Sequence, residues 1–145
     1  MLKVKQDGKY LKLGNEVFNI TEIAVVEIGK EYSEDIGMFR LRVFQPNGRY
    51  IDLEGTHSWE LENVMQDFSS VKQVLKVNPE FVSMEKTKLI NLSLIKDIQF
   101  CEKTDKTYTK ICFESLSFKC GKNYPEAYTI IKNKYCNYVQ NNATC

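Results

Sequence analysis

The chain has 145 residues, of which 43% are hydrophobic, and a formal net charge of +1. That length suits one folded unit whose core needs neither disulfides nor a structural metal. It contains no apolar run of about 18 residues that would span a membrane. The opening MLKVKQDGKY lacks the apolar segment of a secretory signal, so the expected location is the cytoplasm. Five cysteines, an odd number with no CxxC pair, fit reduced thiols better than a disulfide frame or a zinc site. His57 is the only histidine, so neither a metal cluster nor a histidine relay is advertised. No enzyme activity, cofactor or metal is expected. Charge is unevenly spread: residues 1–72 carry 9 Lys+Arg against 12 Asp+Glu, and 73–145 carry 11 against 7. A polyanion would meet the second half.

In chain order, Val17 to Ile28 reads as an apolar segment punctuated by Asn19. Phe39, Leu41 and Val43 then alternate with Arg40 and Arg42, the mark of a half-buried strand whose arginines face solvent. Pro46-Asn47-Gly48 turns the chain into Tyr50-Ile51-Asp52-Leu53, completing a hairpin. After Gly55 the spacing becomes helical, with Leu61, Val64, Met65 and Phe68 on one stripe behind a polar Thr56-His57-Ser58 start. Val77-Asn78-Pro79 connects to a second set of strands. FVSMEKTKLINLSLIKDI, residues 81–98, then runs as a strand, breaks at Glu85-Lys86-Thr87-Lys88, and resumes through Asn91. A second helix carries Ala127, Ile130, Ile131 and Tyr135, started by Asn123-Tyr124-Pro125-Glu126 with capping-box spacing. Trp59, Phe68, Tyr128 and Tyr135 read as core or partly buried residues, and the tail from Asn137 to Cys145 as fraying.

The two halves share a plan. At an offset of 72, VFNITEIAVVEI (17–28) lies over LINLSLIKDIQF (89–100), matching Asn19 with Asn91 and Val26 with Ile98. Phe39–Val43 is then set against Thr109–Phe113, and Gly55 against Gly121. The expected fold is mostly β with two short helices, built from two similar β-β-β-α halves, about 9–72 and 79–139, in one elongated sheet domain. Asn19 and Asn91, each just before an apolar segment, read as turn residues satisfied by backbone hydrogen bonds.

With this element order, Ile20-Thr21-Glu22-Ile23-Ala24-Val25-Val26-Glu27, Phe81 to Ile95 and Lys119-Cys120-Gly121-Lys122 together resemble the LytTR family of DNA-binding domains. The likeness covers about residues 9–135. It implies a β fold that inserts loops from one edge into successive major grooves of double-stranded DNA, in a bacterial or phage transcription regulator. The positions that match the family's basic signatures are Lys86, Thr87 and Lys122. With Lys88 they would enter the major groove or fix the backbone, and Lys103 and Lys106 would add phosphate contacts. Lysine keeps the charge there but lacks the planar fork by which arginine reads guanine. Glu85 stands where the family has histidine, and the loop Gly29 to Gly37, where the family makes a third contact, is longer and net acidic.

The lysines 86, 88, 103, 106, 110, 119 and 122 therefore read as a phosphate-facing rim, set against the ordinary use of lysine to keep sheet edges from pairing. A second reading keeps the scaffold and drops the DNA edge. It makes the chain a non-catalytic protein-interaction module, such as an accessory or phage-type inhibitory factor, with a protein partner or a homodimer and no membrane.

Overall fold

The computed structural model of the protein describes residues 2–33, 36–53, 58–84, 86–103, 106–120 and 125–141. It is mostly β with two helices. In chain order the elements are β1 (Val4–Asp7), β2 (Tyr10–Leu13), β3 (Glu16–Asn19), β4 (Val25–Ser33), β5 (Ile36–Phe44), β6 (Tyr50–Asp52) and α1 (Leu61–Leu75). They continue with β7 (Phe81–Met84), β8 (Lys88–Asn91), β9 (Asp97–Lys103), β10 (Lys106–Cys112), β11 (Ser117–Cys120) and α2 (Pro125–Asn141).

The strands do not form one elongated sheet. They divide into three antiparallel sheets, ordered β1-β2-β3, β6-β5-β4-β8-β7 and β11-β10-β9. The cause is a pair of 3₁₀ turns, Ile20–Glu22 after β3 and Leu92–Leu94 after β8, each of which sends the next strand into a different sheet. Each turn is started by an asparagine, as expected: Asn19 Oδ1 accepts from Thr21 N at 3.0 Å, and Asn91 Oδ1 from Ser93 N at 3.0 Å. A short polar side chain that caps its own backbone stops an extended strand and begins a tight turn.

The central five-stranded sheet takes β4, β5 and β6 from the first half and β7 and β8 from the second, and both of its faces are buried. Successive side chains of a strand point to opposite faces. Val26 and Leu89 accordingly join the cluster with α1 and the N-terminal strands, while Val25 and Ile90 join Ile111, Phe113 and Ile131 of the second half.

Each helix buries part of the stripe that the spacing suggests, Val64 and Phe68 in α1 and Ile131 in α2, and leaves another part exposed. In α1 the buried stripe is Val64, Phe68, Val71 and Leu75, with Leu61 left exposed. In α2 Ile131 is buried, whereas Ile130 is 52% exposed. Trp59 is also exposed, at 55%. The first helix starts later than expected: Ser58 bridges to Phe39, and its Oγ accepts from Glu60 N at 3.1 Å just ahead of Leu61. Thr56, His57, Asn123 and Tyr124 lie outside the described residues. The C-terminal helix continues to Asn141, past the point where fraying was expected.

The offset of 72 holds around the asparagine turns but not beyond. Val25 lies opposite Phe44 and Asp97 opposite Cys112, so Val43 corresponds to Ile111 rather than to Phe113. The first hairpin is longer than the second, which shifts the match by the difference. Among the described residues, no helix is long and apolar enough to cross a membrane.

Candidate nucleic-acid interface

The break in FVSMEKTKLINL is a turn between β7 and β8, whose ladder closes at Met84 opposite Lys88. Its far side is tied to the first half, since Ile28 N donates to Thr87 O at 3.1 Å and Lys88 lies opposite Glu27. The turn is therefore held at the end of the central sheet beside β4. Lys86 is exposed there, and Thr87 is half-buried. Lys88 is half-buried too, with Nζ 3.9 Å from Glu27 Oε2, so its charge bridges two strands. Glu85 lies outside the described residues.

The segment Gly29 to Gly37, expected as an acidic loop, is instead mostly ladder. β4 and β5 stay paired from Gly29 opposite Arg40 out to Ser33 opposite Ile36. Arg40 and Arg42 lie opposite in facing to Leu41 and Val43, as alternation requires, but they are not a solvent face. Arg42 Nε donates to Asp52 Oδ1 at 2.6 Å and Nη2 to Oδ2 at 3.1 Å, while Arg40 Nη1 reaches Oδ2 at 3.5 Å. The Arg42 guanidinium also stacks over Tyr50, 4.3 Å from the ring centroid. Hydrogen bonding to Asp52 raises its pKa further, against the opposing effect of burial. The absence of a Cβ at Gly29 leaves room for it, since one built there would meet Arg42 Cζ at 3.1 Å. This cluster locks β5 to β6 and takes two arginines out of the available charge.

The third sheet gathers the remaining lysines. Lys103 lies opposite Lys106, and Lys110 lies opposite Lys119. Residues opposite each other share a face, and positions two apart along a strand share it as well. Positions 103, 106, 110 and 119 therefore fall on one face, together with Gln99 and Tyr108. The other face carries the buried Thr109 and Ile111 toward α2. Lys119 is exposed, with Nζ 4.4 Å from the Tyr108 ring centroid, and Lys110 is half-buried.

Like charges directly opposite each other destabilise a sheet. Lys110 and Lys119 belong with Lys103 and Lys106, a grouping that the spacing Lys106, Tyr108, Lys110 already signals at a period of two. Lys122 lies outside the described residues, beyond the end of β11. The β11 end and the β9–β10 hairpin tip are on the same end of this sheet, since Cys120 pairs with Thr109 and Lys103 with Lys106.

Comparison with known protein families, with curated proteins and with solved structures finds no match to this chain.

Proposed function

We propose that this chain binds double-stranded DNA and acts as a transcription regulator, meeting the phosphate backbone with the lysine face of the third sheet. The observation that carries the reading is the pairing of Lys103 with Lys106 and of Lys110 with Lys119 on one sheet face. Phosphate contacts fix register on a duplex, and base contacts add selectivity. In this arrangement the exposed Lys86 and the adjoining Thr87 at the β7–β8 turn serve the groove, together with Lys122. Lys88 supports that turn through Glu27. The likeness of residues 81–95 to the LytTR signature favours DNA over other polyanions. A protein-interaction role is the second reading, favoured by the apolar residues Val17, Tyr50 and Ile51 that stand exposed on the first half.

The test is fluorescence anisotropy with mixed-sequence duplex DNA at two salt concentrations. Binding should weaken steeply with salt, because each neutralised phosphate releases counterions. A Lys110→Glu/Lys119→Glu variant should bind more weakly and lower the log–log salt slope by about 2. Lys86→Ala/Lys122→Ala should weaken binding and make its salt dependence shallower. No binding at the lower salt, or slopes unchanged in both variants, would remove this reading and leave the protein-partner role.

A further inference from the structure

The two halves agree bond for bond around their asparagine turns. Ile20 N to Lys9 O matches Leu92 N to Glu80 O, and Ile23 N to Ile20 O matches Ile95 N to Leu92 O. Ala24 N to Phe44 O matches Lys96 N to Cys112 O, and Gln45 N to Arg49 O matches Phe113 N to Leu116 O. Each repeat thus offers two strand edges, one before its turn (β3 or β8) and one after it (β4 or β9).

Among the described residues, only one edge of each repeat is joined to the other. β8 pairs with β4, and Asn91 secures the joint by donating from its backbone N to Ala24 O at 2.9 Å and from Nδ2 to Ile23 O at 2.8 Å. The counterpart edges end their sheets: β3 is the last strand of one and β9 the last of another. Asn19 caps its turn as Asn91 does, yet its amide nitrogen has no acceptor among the described residues. Because Ile20 N turns toward β2, the backbone N–H of Asn19 turns the other way, to the open edge.

We propose that a second copy of this chain joins these edges head to tail, its β9 pairing with β3 in the register that pairs β4 with β8 inside one chain. Transferring that register puts Asn19 N against Lys96 O and Asn19 Nδ2 against Ile95 O of the neighbouring copy. Val17 then lies opposite Ile98, and Glu16 opposite Gln99.

The side chains on the two edges support this occupant. Val17 is 61% exposed, whereas its counterpart Leu89 is 2% exposed under β4. Beside β3 lies a cleft of about 260 Å³ lined by Phe18, Val43, Gln45, Arg49, Tyr50 and Ile51. The matching space of the second repeat is filled by Ala24 and Val25 among Leu94, Phe113 and Leu116. In the first repeat those three wall positions are Glu22, Gln45 and Arg49, and the segment that would enter carries Lys96 and Asp97. The exchange is reciprocal. An apolar joint inside the chain becomes a polar one between chains, with Glu22 available to Lys96 and Arg49 to Asp97. Such a joint is reversible and keeps each edge from taking the other's partner. A head-to-tail contact of this kind builds a ring when its rotation closes and a filament when it does not.

Sedimentation velocity across a wide protein concentration range tests this without nucleic acid, so its failure leaves the DNA reading standing. Wild type should show a mass that rises with concentration. Val17→Pro and Ile98→Pro each remove an N–H that faces the open edge, so the internal ladders survive. Each should be monomeric alone. Mixed, they should form a one-to-one dimer that grows no further, because each keeps the edge the other has lost. Asn19→Asp preserves the cap and loses the amide donor, and should associate roughly fivefold to tenfold more weakly with unchanged melting. Four outcomes would each overturn the proposal: a wild type monomeric at every concentration, proline variants that still associate alone, a mixture that stays monomeric, or, should the prolines unfold the chain, wild-type association by Asn19→Asp.

Discussion

Asn91 and Asn19 perform the same local task in different surroundings, which separates a cap from a joint. Asn91 is 1% exposed; its Oδ1 accepts from Ser93 N and Oγ, and its Nδ2 donates to Ile23 O across the boundary between halves. Replacing it with alanine loses the cap and strands a buried carbonyl, so Asn91→Ala should cost about 2–3 kcal/mol. Asn19→Ala should cost about 0.5–1 kcal/mol, the price of an exposed cap. Urea midpoints at constant slope measure both, and equal losses would mean that the Ile23 contact contributes nothing. The local role of both asparagines was legible, since a short polar residue before an apolar run has few other uses. The arginines were not. Alternation put Arg40 and Arg42 on the correct face, but that face is covered by Asp52 and Tyr50 of β6, and only the hairpin register reveals it.

At the scale of the element, strands were easier to read than helix phases. The strand break at residues 85–88 and the turn at Pro46-Asn47-Gly48 each rest on strong local chemistry, and Gly48 sits at a φ of +92°, where a side chain would be strained and would crowd Ser115 O. A helix with apolar residues at 61, 64, 65, 68, 71 and 75 allows two overlapping stripes, and the sheet beneath it selects one. It selects Val64, Phe68, Val71 and Leu75, with Asp67 also buried and accepting from Leu2 N at 3.0 Å. Leu75→Ala should therefore cost about 2–5 kcal/mol. Leu61→Ala, on the open side, should stay within about 0.5 kcal/mol of wild type. Comparable losses from the two would extend the buried stripe back to Leu61, as the spacing first suggests. For the candidate interface, the same period-two logic that exposes a strand's core face also groups Lys106 with Lys110. The partners Lys103 and Lys119 needed the ladder.

For the whole molecule, the repeat was visible in the sequence, but the way its copies share a sheet was not. Two similar halves suggest two similar bodies. Instead, the second half lends β7 and β8 to the sheet of the first, and the first half lends Ala24 and Val25 to the core of the second. Nothing in a periodicity announces such an exchange, because β4 and β8 are apolar enough to be buried in any partner. Ala24, Val25 and Ile90, each at most 1% exposed, owe that burial to residues from both halves. Separated fragments 1–78 and 79–145 would each expose one side of this joint, together with a bare strand edge. Each alone should lack a cooperative thermal transition, and mixing them should restore one, with a stoichiometry of one to one. Near-ultraviolet circular dichroism follows the change, since the aromatic residues lie on both sides. A first fragment that melted cooperatively by itself would show that the repeats are autonomous and merely docked. The β4–β8 ladder would then be a contact of the same kind as the one inferred between chains, and losing it should cost affinity rather than fold.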